Sequence, residues 1–509
     1  MNKLLETMEQ TCNRTKTTNG APALSSTLSN LVDFYGSMGS MRMRSKDEIA
    51  NEFLKAFSED HLLGTKLLFH LRNIRGGMGE RRTFRIALKE LANLYPEIVI
   101  KNLDNVAKFG RYDDLYTLID TPVEAEMWKY IRTQLFNDLK AYENGESVSL
   151  LAKWLKSERT GDKAMRKLPY EERCKLESFQ TSLLAIATSK NLNLSRSEYR
   201  KILAKLRKYL DITEVKMCRK NWKGIKYASV PSRAMSKYRK AFERNDQYRF
   251  ADFMNKVANG TEEIKASTLF PYEIFRSLGL NHSWSSFSLG TDKVLEAQWK
   301  ALPNYVEPGS NVLVMADTSG SMTCNNCLPL LNSLSLAVYF AERNTGDYHN
   351  KFITFSSRPE FVHLKGETLK EKVSHIPSIV SSTNMQAAFR LVLNSAIKAK
   401  ISQEEMPKAI LVISDMQFNS GVGDSYSWTF YDGLKEEFAE AGYQIPNVIF
   451  WNVNSTQNTF HAFCSYKGVQ LASGSSPSVF KTIMENVGKT PYEAMIATLN
   501  QPMYDSITI

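Results

Sequence analysis

The stretch Asn311-Val-Leu-Val-Met-Ala-Asp317-Thr-Ser319-Gly-Ser321-Met322 decides the fold of the C-terminal part of this chain. A short apolar run that ends in a carboxylate and two alternating hydroxyls is typical of a buried strand that delivers oxygen ligands to a loop. A second apolar run, Ala409-Ile-Leu-Val-Ile-Ser414, ends at Asp415, and Ser382-Thr383-Asn384 opens an amphipathic stretch between the two. The sequence therefore predicts carboxylates and hydroxyls at the ends of two strands.

Strand and helix patterns alternate after Pro308. Strands are predicted at 311–316, 351–355, 409–414, 447–453 and 468–472, with helices near 328–343, 384–399, 428–441 and 477–487. This alternation predicts a doubly wound, Rossmann-like parallel sheet, in which ligands bind outside the carboxyl ends of the strands. Asp317 and Asp415 fall at two such ends.

The oxygen-rich residues at these ends suit a hard cation. Carboxylates and hydroxyls are ligands for Mg²⁺ or another divalent cation, and the predicted metal ligands are Asp317, Ser319, Ser321, Thr383 and Asp415. This D-x-S-x-S pattern, followed by Thr and Asp, resembles the metal-ion-dependent adhesion site of von Willebrand factor A domains. Such a site keeps an open coordination position for a carboxylate, so an acidic protein ligand is an expected partner.

The length of 509 residues predicts two or three domains. We expect a partly ordered N-terminal arm at 1–30, an α-helical repeat module at 31–300, the Rossmann-like domain at 301–490 and a tail at 491–509 that packs on the helices. The longest apolar runs are too short for a membrane span, and six scattered cysteines suit a reducing compartment. A cytoplasmic protein without a membrane association is the expectation.

The region from Leu31 to Lys300 has helical periodicity and almost no alternating strand pattern. Candidate helices lie at 49–58, 62–71, 80–94, 147–156, 196–209, 232–244 and 250–257. Helices separated by short breaks predict a HEAT-like solenoid of helix pairs, although the sequence does not give a regular repeat period. The predicted fold class is thus α + α/β.

The net charge of +11 is unevenly distributed. Residues 301–509 contain 14 basic and 18 acidic side chains, a net charge of −4, which leaves +15 on residues 1–300. A basic surface favours nucleic acid as a partner. Basic side chains also form stripes along two predicted helices, opposite the apolar positions, and surround a glycine-rich turn, Gly76-Gly-Met-Gly79.

Glycines let backbone N–H groups approach a phosphate, and an adjoining helix N-terminus favours anions. The predicted nucleic-acid contacts are Arg72, Arg75, Arg81, Arg82, Arg85, Lys201, Lys205, Lys208, Arg233, Lys237, Lys240 and Arg244. The plain alternatives are solvated helix faces and a flexible turn between helices. Both alternatives remain open at this point, since a basic stripe alone does not identify a ligand.

Other motifs indicate structure rather than chemistry. Arg111 beside Asp113 and Asp114 predicts a structural ion pair, and the isolated Cys324-Asn-Asn-Cys327 predicts small buried or capping cysteines rather than a zinc site. The seven histidines lack catalytic or metal-ligand spacing, and no Walker loop, zincin helix or nucleophile elbow is present. We therefore expect a protein that is not an enzyme.

Four segments carry a resemblance to a known family: Leu71-Arg-Asn-Ile-Arg75-Gly-Gly-Met-Gly-Glu80-Arg81-Arg82, Phe109-Gly-Arg111-Tyr-Asp113-Asp114-Leu115, Leu151-Ala-Lys153-Trp154-Leu155 and Val230-Pro-Ser-Arg233-Ala-Met. With the metal pattern, they resemble Ro autoantigen (TROVE-type) proteins, and still more a Ro-like family of viruses, bacteria and plants. The resemblance implies a ring of helical repeats that binds single-stranded ends of misfolded RNA and structured small RNA.

The function predicted from the sequence is therefore RNA binding on the helical module, with a metal-dependent C-terminal domain for a ligand or partner. One alternative is a metal-dependent interaction or assembly factor, viral or bacterial, that does not bind nucleic acid. Another is a metal-dependent nuclease, which would need a second acidic cluster or a base near Asp317.

Overall fold

A computed structural model describes residues 3–158, 168–282, 286–378, 382–420 and 429–509. The α-helices in these ranges are α1 (Lys3–Cys12), α2 (Asn30–Ser37), α3 (Lys46–Glu59), α4 (His61–Arg72), α5 (Arg82–Leu94), α6 (Pro96–Lys101), α7 (Leu103–Phe109), α8 (Glu124–Glu143), α9 (Leu151–Trp154), α10 (Tyr170–Cys174), α11 (Glu177–Asn191), α12 (Arg196–Tyr209), α13 (Thr213–Cys218), α14 (Ser232–Asn245), α15 (Gln247–Ala258), α16 (Pro271–Leu278), α17 (Lys293–Lys300), α18 (Cys324–Arg343), α19 (Leu369–Ser374), α20 (Met385–Ala399), α21 (Phe430–Glu440), α22 (Val479–Glu485) and α23 (Pro491–Leu499).

The strands are β1 (Arg14–Lys16), β2 (Pro22–Leu24), β3 (Asn281–His282), β4 (Phe287–Ser288), β5 (Val312–Asp317), β6 (Lys351–Phe355), β7 (Glu360–His363), β8 (Ala409–Ser414), β9 (Asn447–Asn452) and β10 (Val469–Ser473). Six of them form one mixed sheet in the order β10-β9-β8-β5-β6-β7. All neighbours are parallel except β7, which runs antiparallel to β6 at one edge.

This strand order confirms the predicted α + α/β class. The chain starts in the middle of the sheet at β5, adds β6 and β7 on one side, and then adds β8, β9 and β10 on the other. The order therefore reverses between β5 and β8, and the carboxyl ends of these two strands flank the switch point at which open α/β sheets bind ligands. Every predicted strand is present to within about one residue, whereas the edge strand β7 and the two short hairpins were not predicted.

The burial of the central strands explains why their sequences are continuously apolar. Every residue of β5 and β8 is buried, because helices cover both faces of a mostly parallel sheet. Helix α18 packs on β5, β6 and β8. Aromatic rings fill this interface: Phe340 lies 5.6 Å from Trp451 and 4.4 Å from Phe480, measured between ring centroids.

The chain folds into two compact units, and each unit consists of segments that are not consecutive in the sequence. The first unit comprises residues 1–87, 231–239 and 252–506, and the second comprises 88–230, 240–251 and 507–509. The sheet therefore shares a unit with the N-terminal helices. Helix α2 packs on β9 and β10 and buries Val32 and Phe34 completely.

The N-terminal arm is also part of the first unit. Its strand β2 pairs with a distant segment, since the Leu24 N–H donates to the Phe460 carbonyl at 2.9 Å. The Thr17 hydroxyl donates to the Phe418 carbonyl at 2.6 Å. The arm from residue 14 to 24 thus braces the loop that follows β8, a role that its Thr-rich sequence did not indicate.

The C-terminal tail contributes to the same unit. Helix α23 packs on α2 and α4. The side chain of Tyr504 is fully buried, and its hydroxyl lies 2.7 Å from His70 Nδ1 and accepts a hydrogen bond from Asn73 Nδ2 at 3.1 Å. The tail therefore packs against helix α4 through polar as well as apolar contacts.

The second unit is helical. Within it, the predicted structural ion pair is confirmed: Arg111 Nε and Nη2 donate to the two oxygens of Asp113 at 2.8 and 2.7 Å, and its guanidinium lies 4.1 Å from the Trp154 ring centroid. In place of the helix predicted at 147–156, the structure has only the shorter α9, whereas the helix predicted at 196–209 is present as α12 with the same bounds. Among the helices in the described ranges, none is long and apolar enough to cross a membrane.

Candidate functional site

The two predicted metal-binding carboxylates lie at the ends of the central strands. Asp317 is the last residue of β5 and is fully buried, and Asp415, directly after β8, is 3% exposed. Asp317 Oδ1 accepts the Ser319 N–H at 2.8 Å, while its Oδ2 accepts the Ser414 hydroxyl. The predicted strand stopped at residue 316, whereas Asp317 is itself the last residue of β5 and is completely buried.

Burial and mutual repulsion make this pair costly to ionise. The pKa of Asp317 is raised to about 7, first because burial removes the carboxylate from water and second because the charge of Asp415 is close. Burial also raises the pKa of Asp415, while the Ser321 hydroxyl and the Gln417 N–H hydrogen-bond to it and partly offset this effect. A cation between the two carboxylates would relieve both costs.

The predicted hydroxyl ligands are brought together to different degrees. Ser319 and Ser321 lie 3.2 Å apart between their Oγ atoms, and Ser321 hydrogen-bonds to Asp415. Thr383 is buried, and its backbone pairs with Asn419 in the loop after β8, through the Asn419 N–H at 2.9 Å from the Thr383 carbonyl oxygen. Thr383 is thus linked to the loop that carries Asp415.

The donor set fits a hard divalent cation in its chemistry. Two carboxylates and three hydroxyls are the oxygen ligands that Mg²⁺ accepts. No group of three or more His, Cys, Asp or Glu side chains that could hold a metal occurs in the part of the chain that the structure describes. Among the described residues, Asp317 and Asp415 are the carboxylates placed at this edge, so a cation held by them would also depend on the hydroxyls.

Two residues beside this site, Cys324 and Asn454, were not predicted to lie there. Cys324 is exposed rather than buried, and the side-chain amide of Asn454 donates to its Sγ at 3.5 Å. Partial removal of the thiol from water, together with the charge of Asp415, raises the pKa of this thiol. The left-handed backbone at Asn325, Asn326 and Cys327, with φ between 53° and 57°, separates Cys324 from the regular part of helix α18. Cys324 is therefore not a buried cysteine, but it caps the short turn Gly320–Thr323, since its N–H donates to the Ser321 carbonyl, in agreement with the capping alternative.

A second candidate site is a basic cavity of about 480 Å³ in the first unit, which we call the arginine cavity. It brings together side chains from four separate segments of the sequence. Its principal lining residues are Arg42, Lys46, Gly79, Glu80, Arg81, Arg82, Arg85, Arg233, Phe270, Tyr272 and Glu273. Four predicted contacts, Arg81, Arg82, Arg85 and Arg233, thus face one space, while the sequence did not indicate Arg42, Lys46 or the aromatic wall.

Carboxylates and carbonyls hold several of these guanidinium groups in place. Arg42 Nη2 lies 2.6 Å from Oε2 of Glu80, which is only 4% exposed. Arg82 Nη1 donates to the Arg42 carbonyl at 2.9 Å, and Arg233 Nη2 donates to Glu273 Oε2 at 3.2 Å. The cations are therefore oriented before any ligand arrives.

The aromatic wall and a glycine close one side of the cavity. Phe270 and Tyr272 are both 6% exposed, with ring centroids 6.2 Å apart, and the Arg233 guanidinium lies 5.7 Å from the Phe270 centroid. Gly79 has φ +64°, and a Cβ there would lie 2.7 Å from the Phe270 ring. Only glycine fits this close approach.

The glycine-rich turn does not offer its N–H groups to a phosphate, contrary to our expectation. The N–H groups of Arg75 and Gly76 donate to Asn73 Oδ1 at 3.0 and 3.2 Å. Those of Met78 and Gly79 donate to the carbonyls of His70 and Asn73. The turn closes on helix α4, and any anion contact there depends on side chains.

The remaining predicted nucleic-acid contacts do not line the arginine cavity but lie on several separate elements. Arg72 is 2% exposed, out of reach of a phosphate in solution, whereas Arg75 is exposed. Lys201, Lys205 and Lys208 lie on the solvent side of α12, and Lys205 lies 3.9 Å from Glu143 Oε1. The exposed face of α14 carries Lys237, Lys240 and Arg244. For these two faces, the plain alternative of a solvated helix stays open.

Comparison with known proteins corrects the expected family. Residues 17–153 and 129–308 match "Domain of unknown function (DUF2828)", and residues 311–502 match "Domain of unknown function (DUF7788)". "Uncharacterized protein L728" of Acanthamoeba polyphaga mimivirus is 28% identical over 537 residues, covering 97% of this chain and 88% of the viral protein. The expected membership in the Ro (TROVE-type) family, with a von Willebrand factor A domain, is therefore wrong, because the matched families are different ones. By the match that spans residues 17–308, the chain belongs to the DUF2828 family.

Proposed function

We propose that this protein binds RNA, and that the arginine cavity is the principal phosphate-binding site. The observation that carries the proposal is the convergence of cations from helices α3, α5 and α14 and from residue 42 on one partly enclosed space. Guanidinium groups donate to phosphate oxygens with paired N–H bonds, and their planar forks suit nucleic-acid backbones. The net charge of +15 on residues 1–300 adds a long-range attraction for a polyanion.

The cavity favours single-stranded RNA over a duplex. Its volume of about 480 Å³ admits a phosphate and part of a nucleotide, whereas an A-form duplex presents a rigid, wide surface. A HEAT-like solenoid or ring of the helices, and its use as an RNA platform, remains part of this proposal.

The test is the salt dependence of RNA affinity. Replacing Lys46, Arg82 and Arg233 with Gln should weaken binding and flatten the plot of log affinity against log salt. Each phosphate contact on a single strand contributes a slope of about 0.7, so the triple variant should lose up to about 2. Fluorescence anisotropy with a labelled single-stranded RNA, between 50 and 300 mM salt (roughly the range in which counterion release dominates), measures this slope.

A matched control variant distinguishes RNA binding at the arginine cavity from attraction by the overall positive charge. Lys365, Lys370 and Lys398 are exposed and lie outside the cavity, so their triple replacement with Gln removes the same charge. We expect this control to keep most of the wild-type slope. Equal losses in the two variants, or no RNA binding by the wild type, would refute the proposal.

A second candidate function is supported by the carboxylate pair. We propose that Asp317, Ser319, Ser321, Thr383 and Asp415 hold Mg²⁺ or another divalent cation and that this cation accepts a carboxylate from an acidic protein ligand. When bound, the cation would supply positive charge and an open coordination position. The chain's own contribution is two buried carboxylates whose repulsion a cation would neutralise. In both proposals the protein acts as a binding protein and not as an enzyme.

Calorimetry with Mg²⁺ and Mn²⁺ tests this second function. Wild-type protein should bind one ion, and replacement of Asp415 with Asn should abolish the heat of binding. RNA affinity through the arginine cavity should not change in this variant, because none of the carboxylate-pair residues lines the cavity. Unchanged ion binding in the variant would reject this ligand set.

A further inference from the structure

The backbone directly after Asp415 has a strained conformation. Met416 has φ 65°, in the left-handed region, although it is not a glycine and is only 3% exposed. Such a conformation is disfavoured for a side chain of this size, and it persists only where neighbouring contacts hold it. The Met416 N–H donates to the Ser414 hydroxyl at 3.1 Å, and its carbonyl oxygen lies 3.1 Å from His461 Nε2. The path of the chain beyond Asp415 therefore depends in part on a distant segment.

Gln417 connects this strained backbone to the N-terminal arm. Its N–H donates to Asp415 Oδ1 at 3.1 Å, and its side chain is only 6% exposed. Its Oε1 accepts from the Thr18 N–H at 2.8 Å and from Gln457 Nε2 at 3.2 Å. Its carbonyl oxygen accepts from Asn19 Nδ2 at 2.6 Å. Gln417 therefore holds a predicted metal ligand on one side and the arm on the other.

The part of the arm that meets the loop after β8 is a tight turn at residues 17–20, which we call the arm turn. Besides its two bonds to the residue that follows Met416, it makes two others. The Thr17 hydroxyl donates to the Phe418 carbonyl at 2.6 Å, and the Ser420 N–H donates to the Asn19 carbonyl at 3.3 Å. Because all four bonds join segments that are remote in sequence, opening of the arm turn is a local event that leaves the ladder of the sheet intact.

Contacts behind a metal ligand influence how strongly the ion binds. A ligand that is already held in place loses little freedom on binding, whereas a mobile ligand must first be ordered. Removing such an outer contact typically lowers metal affinity about 10–100-fold. Opening of the arm turn would remove both of its bonds to Gln417 and leave the strained backbone at Met416 with less support. Asp415 would then be less well placed for an ion.

We propose that the arm turn sets the affinity of the carboxylate pair for a divalent cation, with Thr17, Asn19 and Gln417 as positioning residues. This inference rests on the proposed cation site and adds the regulation of that site. The docked arm turn holds Asp415 ready for the ion, and release of the arm turn weakens ion binding. By thermodynamic linkage, an ion that prefers the docked state must also stabilise docking by the same factor.

Calorimetry with Mg²⁺ on the full-length protein compares two replacements of the buried Thr17. Thr17→Val keeps the volume of the side chain but removes its hydroxyl, whereas Thr17→Ser keeps the hydroxyl and removes a methyl group. Thr17→Val and the exposed Asn19→Ala should each weaken Mg²⁺ binding about tenfold, the lower end of the range for an outer contact. Thr17→Ser should keep the wild-type affinity. If the arm acted through packing alone, Thr17→Ser would be the weaker binder.

Hydrogen exchange of wild-type protein gives a second measurement that does not depend on the folding of a variant. Saturating Mg²⁺ should slow exchange at residues 17–20 about tenfold, by the same linkage, and should leave exchange in α12 unchanged. Unchanged Mg²⁺ affinity in Thr17→Val and Asn19→Ala, or unchanged exchange of the arm turn with the ion bound, would overturn this inference and leave the cation site standing. Failure of wild-type protein to bind Mg²⁺ would instead reject the cation site, and its regulation with it.

Discussion

Replacing Asp415 with Asn should stabilise the cation-free protein and at the same time abolish its response to Mg²⁺. The two carboxylates at the ends of β5 and β8 are buried together, and the pKa of Asp317 is raised to about 7 from 3.8. That difference of about three units corresponds to roughly 4 kcal/mol at 1.36 kcal/mol per unit. Burial causes the larger share and the charge of Asp415 the next, so replacing Asp415 should remove part of this cost.

The sign of the pH dependence follows from the direction of this shift. A carboxyl group with a raised folded pKa binds its proton more tightly in the native state, so it lowers stability as pH rises from about 4 to 7. At pH 8 and with a chelator, the full cost is present. The Asp415→Asn variant should therefore unfold at a temperature a few degrees above that of wild-type protein, since about 1 kcal/mol shifts the midpoint by roughly 2–4 °C.

Excess Mg²⁺ should reverse this order. An ion at 100 times its dissociation constant stabilises the native state by about 2.7 kcal/mol, which the variant cannot gain. Differential scanning fluorimetry at pH 8, with chelator and with Mg²⁺, measures both effects. The control is Asp252→Asn, an exposed residue paired with Lys256, which should shift neither midpoint. An Asp415→Asn protein that is less stable in chelator, or that still responds to Mg²⁺, would refute this reasoning.

Three further outcomes are expected. Burial lowers the pKa of His70 to about 4, so the unfolded chain binds the proton first and stability falls as pH drops from about 6.5 to 4. In urea titrations, His70→Asn should therefore reduce the stability difference between pH 7 and pH 5 by about 2 kcal/mol, since roughly 1.5 pH units of that interval lie below 6.5. Phe34→Ala should cost about 3–5 kcal/mol in the same assay, because the ring is fully buried and its centroid lies 5.7 Å from that of Phe53 in α3, whereas the exposed Phe361→Ala should cost little. A fragment of residues 301–509 should expose the face of β9 and β10 that α2 covers and bind a hydrophobic dye strongly; a fragment that is monomeric and does not bind the dye would contradict this.

The sequence by itself determined the local structure of the C-terminal part. The runs at 312–316 and 409–413 are apolar throughout because both faces of these strands are covered, and this feature is visible without coordinates. The runs lead directly into Asp317 and into Ser414-Asp415, so the approach of the two carboxylates at the switch point followed from the expected parallel order. The edge strand β7 escaped prediction because only one of its four residues is buried.

Only the tertiary structure decided which distant segments share a site. The arginine cavity joins residues from helices α3, α5 and α14 and from Phe270 to Glu273, and no local pattern records that these meet. Burial likewise separated Arg72, which the protein interior encloses, from Arg82 and Arg233, which line a cavity. The physical reason is that periodicity fixes the direction of a side chain relative to its own helix or strand, whereas long-range packing decides what that side chain faces.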